Sequence, residues 1–279
     1  MRLFLSALVA TALALPASAQ TLERIAERGE LRLGYRTDAA PLSFANADGL
    51  PAGYSVMICG QIAQGIANAL QLEDMNADFF AVTAEDRFDK VASGDIDLLC
   101  GASTITLGRR EIVDFSIPTY VDGTAIMVGA DASGQFQDLA GKKLGVRQGT
   151  TTQEALTNSI GAAGLQAADV VLFEDHAAGM DAMKAAEIDA YFADQSILFQ
   201  LYGSSDAQDQ FKISNEILTI EKHGLALQRG DSEFRLLVDR ILSELYASGA
   251  MEEIFVTALP GAEPGDALRA LHLIAPTLP

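Results

Sequence analysis

Segments that suit buried strands alternate along most of this chain with segments that suit helices. The strand-like segments are short apolar runs at 31–35, 78–82, 95–100, 124–129, 143–147, 170–173, 189–193 and 224–228. The helix-like segments lie at 56–70, 83–92, 151–160, 176–186, 194–202, 232–248 and 251–259. This alternation predicts an α/β fold whose parallel sheets are covered by helices on both faces. After Leu259 the sequence is punctuated by Pro and Gly, and a tail is expected there.

Residues 1–19 have the pattern of a secretory signal peptide. Arg2 precedes an apolar run over 3–15, and Pro16 then leads into the small-residue site Ala17-Ser18-Ala19. The run is too short to span a bilayer. A short buried N-terminal helix is the alternative, although the run is not amphipathic. We expect cleavage after Ala19 and a mature chain that is exported and does not insert into the membrane.

Cys59 and Cys100 are the two cysteines of the chain. In an oxidising compartment they can form one disulfide, and the alternative is a pair of buried free thiols. We predict the disulfide. With two cysteines and three histidines, the chain has little material for a structural zinc or iron–sulfur site, and no metal or cofactor is expected.

The charge balance excludes several classes of partner. Lys and Arg number 19 against 38 Asp and Glu, which gives a formal net charge of −19. Nucleic acids and anionic membrane surfaces both require clustered cations, so neither is expected to bind.

Several cationic side chains nevertheless stand where predicted strands end or predicted helices begin. In open α/β sheets ligands bind beyond the carboxyl ends of the strands, and the first turn of a helix offers free N–H groups to an anion. Arg36 directly follows a predicted strand, and Arg147 closes another. Arg87, Arg109 and His176 lie at predicted helix starts. The sequence therefore predicts a locally positive ligand site in an acidic protein.

Five segments together resemble the extracytoplasmic solute-binding proteins of polar amino acid ABC transporters. The matching segments are 53–55, 93–97, 100–104 with Arg109, 113–118 and 149–151. Within that family the chain looks most like glutamate/aspartate-binding members, because of residues 34–36, 83–87 and 174–176.

The resemblance implies a periplasmic binding protein with two α/β lobes, two hinge-crossing strands and a ligand cleft between the lobes. Lobe one would comprise 20–121 and 222–279 including the tail, and lobe two 122–221. The implied partners are a small amino acid ligand and the membrane permease of an ABC transporter, and the protein is expected to act as a monomer.

The resemblance also implies how an amino acid is held. Arg109 would fork onto the ligand α-carboxylate, with hydroxyl donors from Thr104 and, across the cleft, Thr150. Asp194 would accept the α-ammonium group. Each residue also has a purely structural alternative. For Arg109 it is a surface ion pair with Glu111 or Asp114. For Asp194 and for the Thr150–Thr151 pair it is helix capping.

Arg36, Arg87 and His176 would hold a side-chain carboxylate by the same resemblance. Ordinary surface ion pairing is the alternative for the two arginines, and a neutral core histidine is the alternative for His176. The remaining predicted ligand-binding residues are Ala102, Ser103, Thr151 and Arg147. Met57, Ala84 and Ala102 depart from the family pattern, the last two by removing hydroxyl donors.

Two other classes of function stay open at this stage. An enzyme of the cyclohexadienyl dehydratase kind shares the fold, and Glu174 or Asp175 could supply its proton-donating acid. A ligand-sensing module that signals to a receptor is the other. His176, His223 and His272 have no companions at the spacing of a catalytic triad or a metal site.

Overall fold

The computed structural model describes residues 21–165 and 169–277, so the predicted signal peptide lies outside the described residues. The strands are β1 (Glu30–Arg36), β2 (Asp38–Ala39), β3 (Ser43–Ala45), β4 (Pro51–Ala52), β5 (Asn76–Val82), β6 (Leu98–Cys100), β7 (Val113–Phe115), β8 (Tyr120–Asp122), β9 (Thr124–Gly129), β10 (Lys143–Arg147), β11 (Asp169–Phe173), β12 (Ala190–Asp194), β13 (Phe211–Ile217), β14 (Glu221–His223) and β15 (Ala226–Gln228). The helices are α1 (Thr21–Arg28), α2 (Tyr54–Leu70), α3 (Arg87–Ser93), α4 (Thr151–Ala163), α5 (His176–Lys184), α6 (Gln195–Ser204), α7 (Ser232–Ser248), α8 (Ala250–Ala258) and α9 (Asp266–Ile274).

Two five-stranded sheets form the centres of two lobes. The first has the order β5-β1-β6-β15-β7, and the second has the order β11-β10-β12-β9-β13. The expectation of parallel sheets is wrong for part of each. Strand β15 is antiparallel to β6 and β7, and β9 is antiparallel to β12 and β13. Parallel pairing needs a crossover connection, whereas these strands enter their sheets directly from the segments that cross between the lobes.

Strands β8 and β14 pair antiparallel with each other and connect the two lobes. The lobe boundaries expected at 121/122 and 221/222 both fall inside this two-stranded ladder. No helix within 21–165 or 169–277 is long and apolar enough to cross a membrane.

The first lobe packs helix α2 against the face of its sheet. Ile58, Ile62 and Ile66 are spaced four residues apart, so they share one helical face, and all three are fully buried against a core that includes Leu31 and Leu33. The predicted disulfide between Cys59 of α2 and Cys100 of β6 is confirmed. It therefore ties this helix to the central strand of the sheet.

In the second lobe, helices begin directly at the carboxyl ends of the parallel strands. Helix α4 follows β10 after a turn in which Gly149 has a φ of 70°, a conformation that favours glycine. The Thr150 side chain caps α4 by accepting from Gln153 N at 3.2 Å. The Asp175 side chain caps α5 by accepting from Ala178 N at 2.7 Å. These helix starts face the first lobe.

The structure differs from the predicted elements in two places that matter below. The C-terminal segment is not only a tail, because it contains helix α9, which buries Leu268 and Leu271. Arg109 does not begin an α-helix but lies in a single 3₁₀ turn, Arg109–Glu111. Its position is therefore set by the surrounding loop.

Candidate functional site

A small cavity of about 20 Å³ lies between the lobes, at the carboxyl ends of their strands. Most of the predicted binding residues line it together, from both lobes. The lining residues are Arg36, Arg87, Ala102, Thr104, Arg109, Thr150, Thr151, Thr152, His176, Asp194 and Ile197. Ser103 and Arg147 are not among them. The Ser103 carbonyl accepts from Gly224 N at 3.1 Å, and its side chain is fully buried.

Arg109 and Arg87 are stacked against one phenyl ring. Their guanidinium carbons lie 4.9 Å and 4.5 Å, respectively, from the centre of the Phe88 ring. Arg109 also donates to the Thr104 carbonyl oxygen at 2.8 Å. Burial lowers its pKa from the ordinary value, while Glu154 and Glu221 act in the opposite direction. A guanidinium remains charged even with such a shift.

Arg87 lies deeper and binds only backbone oxygens. It is 1% exposed and donates to the Ala84 carbonyl and, across the cleft at 3.4 Å, to the Gly149 carbonyl. Its Nε has no hydrogen-bond partner within the described residues. Burial lowers the pKa of Arg87 well below its ordinary value, and the neighbouring cations Arg36 and Arg109 add to this effect. The charge of Arg87 is thus one that an anion would stabilise.

Arg36 and Arg147, in contrast, already have carboxylate partners. Arg36 Nε donates to Asp38 Oδ1 at 2.6 Å, and Arg147 Nε donates to Asp38 Oδ2 at 3.0 Å. Arg147 also pairs with Glu85. Burial alone would raise the pKa of Asp38, but Arg36 and other nearby cations hold it below its usual value. Because Asp38 and Glu85 belong to the first lobe and Arg147 to the second, this network joins the lobes.

His176 is a buried neutral ring that contacts Tyr191. Its Nδ1 lies 2.9 Å from the Tyr191 hydroxyl. Gly179 makes room for the Tyr191 ring, because a Cβ at position 179 would lie 2.1 Å from Tyr191 Cε2. Burial lowers the pKa of His176 to about 3, and Arg36 contributes in the same direction. His176 therefore offers one cavity-facing ring edge without a charge.

Asp194 ends strand β12 beside two residues of the crossing strand β14. Its Oδ1 accepts from the Thr152 hydroxyl at 3.2 Å, and its Oδ2 lies 3.5 Å from His223 Nε2. Burial raises the pKa of Asp194, with Glu221 acting in the same direction and His223 opposing it. Burial lowers the pKa of His223.

Asp194, Glu221 and His223 are the set within the described residues that could hold a cation, since one ligand atom from each lies within 4.8 Å of the others. Glu221 is already surrounded by threonine hydroxyls, and both nitrogens of His223 lack hydrogen-bond partners within the described residues. The cluster suits a cationic group that can donate hydrogen bonds.

Sequence reasoning missed several residues at this site. Asp38 follows Arg36 by two positions, so a local ion pair was the available signal. The sequence contained no signal for Glu221 and His223, because their contacts are with distant segments. Glu221, for example, contacts Thr104, which is 117 positions away in the chain. Thr152 and Ile197 lie in the first turns of α4 and α6, whose starts were predicted to within one residue.

A larger groove of about 730 Å³ lies behind the crossing strands, beside the segment 259–268. None of the predicted binding residues lines it, and its walls include the exposed side chains of Phe199 and Ile220. The convergent charges lie in the smaller cavity, which we take as the ligand site.

Residues 31–258 match the family of bacterial extracellular solute-binding proteins, family 3. The match spans most of the chain, so the chain belongs to this family. It is a solute-binding protein with the two-lobed fold that the sequence predicted.

Particular relatives agree with this assignment. The L-glutamate/L-aspartate-binding protein of Pseudomonas aeruginosa is 27% identical over 256 residues, which cover 90% of this chain and 84% of the relative. The ABC transporter glutamine-binding protein GlnH of Bacillus subtilis is 26% identical over 238 residues, with coverages of 84% and 83%. The cysteine-binding protein of Campylobacter jejuni superposes with a TM-score of 0.76 at 24% identity, covering 88% of this chain and 94% of that chain. That structure shows the likeness of the fold. The two sequence relatives are named as binding proteins, and the chain is a binding protein rather than an enzyme.

Proposed function

We propose that this protein binds an acidic amino acid between its lobes and delivers it to the permease of an ABC transporter. The family match and the amino-acid-binding relatives support the transport role. The predicted signal peptide, cleaved after Ala19, supports a periplasmic location. The protein would act there as a monomer.

The proposal of an acidic ligand rests on the balance of charges at the cavity. Arg36 and Arg147 are offset by Asp38 and Glu85, whereas Arg87 and Arg109 form no ion pair within the described residues. Buried Arg87 and half-buried Arg109, two cations without counterions, match the two carboxylates of glutamate or aspartate. Asp194 then matches the single ammonium group. A neutral amino acid would leave one buried guanidinium unsatisfied, which is costly.

The proposed roles follow from this balance. Arg109 binds the α-carboxylate, Arg87 binds the side-chain carboxylate, and Asp194 accepts the α-ammonium group. His176 and Arg36 line the side-chain end, where Arg36 acts mainly through its pair with Asp38. Of the remaining members of the proposed site, Ala102, Thr104, Thr150 and Thr151 shape its walls, whereas Ser103 and Arg147 support it without lining the cavity.

Calorimetry on the mature chain (20–279) tests the proposal. Glutamate and aspartate should bind at least about 10-fold more tightly than glutamine and asparagine, because loss of a charge-assisted pair in a buried site costs 1–3 kcal/mol or more. Glutamine is the critical control because it has nearly the same shape as glutamate and because GlnH, a named relative, is a glutamine-binding protein. Equal affinity for glutamate and glutamine would overturn the acidic assignment while leaving the family intact.

A further inference from the structure

Glu221 is a buried carboxylate that gathers hydroxyl groups from both lobes. Its Oε2 accepts from Thr104 at 2.5 Å and from Thr151 at 2.9 Å. Its Oε1 accepts from Thr219 at 2.6 Å and from Thr124 at 3.2 Å. Thr104 and Thr151 line the cavity from opposite lobes, so Glu221 lies directly behind the ligand site.

The protons of this cluster can be counted. The hydroxyl oxygens of Thr104 and Thr151 lie 3.0 Å apart, so these two oxygens and Glu221 Oε2 form a closed triangle. Each hydroxyl carries one proton, and an ionised carboxylate carries none. Whether both hydroxyls donate to Glu221 or one donates to the other, both protons are used inside the triangle. Only lone pairs remain to face the cavity.

Glu221 is kept ionised by the same contacts. Burial by itself raises the pKa of the carboxyl group, but the hydrogen bonds from Thr104, Thr219 and Thr151 bring that pKa below its usual value. At neutral pH the group is therefore an acceptor, and the proton count above holds.

We propose that Glu221 is a positioning residue that makes Thr104 and Thr151 acceptors, so that this end of the cavity recognises an ammonium group and rejects ligands that lack one. This inference rests on the proposed function. It also changes the role of Thr104, which the family resemblance implies to be a hydroxyl donor to the ligand carboxylate.

The rest of the cavity has the opposite polarity. Arg87 and Arg109 can only donate, whereas Asp194 and the two threonine hydroxyls accept. An amino acid presents acceptors at its carboxylates and three donors at its ammonium group, which matches this division. A dicarboxylic acid of the same length without the amino group would leave Asp194 and the threonine lone pairs without donors. Glu221 would thus determine discrimination between an amino acid and its deaminated analogue.

The substitution Glu221→Gln tests the proposal because it keeps the shape and changes the protons. The amide nitrogen brings donors into the cluster. When it faces Thr104 and Thr151, at least one of these two hydroxyls must turn and offer its proton to the cavity. Calorimetry would give the dissociation constants of glutamate and of glutarate, which lacks the ammonium group. We expect the ratio of the glutarate to the glutamate constant to fall at least about 10-fold in the variant, chiefly because glutamate binds less tightly.

A purely structural role for Glu221 would weaken both ligands by the same factor. A ratio unchanged both in Glu221→Gln and in Thr151→Val, which removes a hydroxyl whatever the amide orientation, would overturn the proposal. Glu216→Gln is the matched control, since Glu216 accepts from Phe136 N at 2.8 Å, away from the cavity, and its ratio should equal that of the native protein. Thermal unfolding of each variant verifies folding.

A second pair of variants serves if Glu221→Gln does not fold. Thr151→Val removes one cavity-facing acceptor and should lower the ratio, whereas Thr151→Ser keeps the hydroxyl and should preserve it. Equal ratios in the two Thr151 variants would also overturn the proposal.

If the native protein bound neither ligand, the proposed function would fail first. If it bound glutamate and the ratio did not move, only the role of Glu221 would fail.

Discussion

Arg87 and Arg109 share the Phe88 ring but hold different parts of the cleft. Arg109 donates within its own lobe, to the Thr104 carbonyl, whereas Arg87 reaches the Gly149 carbonyl of the other lobe. The two side chains therefore support different contacts even though both are cations beside the same ring. Their separate substitution tests the division of roles proposed above.

Arg109→Ala should weaken every amino acid ligand, by roughly 2–5 kcal/mol, because the shared α-carboxylate loses its charged partner. Arg109→Lys should also bind poorly, since a point charge cannot replace two parallel hydrogen bonds.

Arg87→Met should weaken the binding of glutamate and aspartate while sparing that of glutamine. Calorimetry with these three ligands measures the contrast, and the exposed neighbour Arg110→Ala is the control. An equal loss for all ligands in Arg87→Met would remove its selective role.

His176 should make the free energy of unfolding depend on pH below neutrality. Its pKa is about 3 in the folded protein because of burial, against an ordinary value of 6.5. The unfolded chain therefore takes up a proton at His176 as the pH falls below about 6.5, while the folded protein does not until about pH 3. The contribution of His176 is fully present above pH 6.5 and is lost on the way down to pH 3.

Thermal unfolding between pH 7 and pH 4 checks this sign. His176→Gln should lose part of the decline in melting temperature that the native protein shows over that range. The variant should still show the rest of the decline. His223 contributes to it, because burial also lowers the pKa of His223. Parallel curves for the native protein and the variant would contradict the prediction, because His176 would then have the same pKa in the folded and the unfolded chain.

At the residue scale, the sequence located groups that act beside a strand end or a helix start. Arg36 and Arg87 could be placed near each other because the carboxyl ends of neighbouring parallel strands meet at one edge of a sheet. His176 follows a strand of the second sheet, and its approach from the other lobe was implied by the family resemblance. The pairing of Arg147 with Asp38 and the cluster around Glu221 could not be predicted. They depend on distances between segments that only the assembled lobes bring together.

At the element scale, the predictions are correct where the interactions that form a helix or strand are local in sequence. Helix α7 has the predicted bounds because Asp231 caps it at 3.1 Å through Phe234 N and its apolar positions recur with helical spacing. Strands β8 and β14 were missed as strands, because each has three residues and pairs with a partner far away in the chain. Helix α9 was missed because Pro264 and Gly265 precede it, although its apolar face is buried.

The disulfide between α2 and β6 should contribute roughly 2–5 kcal/mol to stability. It joins residues separated by 41 positions, so it removes substantial freedom from the unfolded chain. Urea unfolding with and without reductant measures the effect. The double variant Cys59→Ala/Cys100→Ala should be insensitive to reductant, and a native protein equally insensitive would contradict the prediction.

For the whole molecule, the size of the cavity implies motion. A space of about 20 Å³ accommodates about one water and is smaller than any amino acid. The lobes must therefore separate to admit a ligand and close on it, with β8 and β14 as the hinge. Small-angle scattering should show a smaller radius of gyration with saturating ligand than without.

The network that joins Arg147 to Asp38 and Glu85 should bias that motion toward closure. These ion pairs link opposite lobes, and Arg147 does not line the cavity. Arg147→Gln removes attraction that exists only when the lobes are together, so the free protein should be larger by scattering. Every ligand should weaken by one common factor, because a smaller closed fraction reduces all apparent affinities alike. The preference for glutamate over glutamine should stay the same.

Lys143→Gln gives a matched control, because Lys143 begins the same strand as an exposed side chain and also loses one positive charge. Its radius and affinities should equal those of the native protein. A selective loss of glutamate binding in Arg147→Gln would instead place Arg147 in contact with the ligand, and an unchanged radius would show that the ion pairs do not hold the lobes together. Because closure and selectivity are carried by different arginines, the two effects separate in one set of measurements.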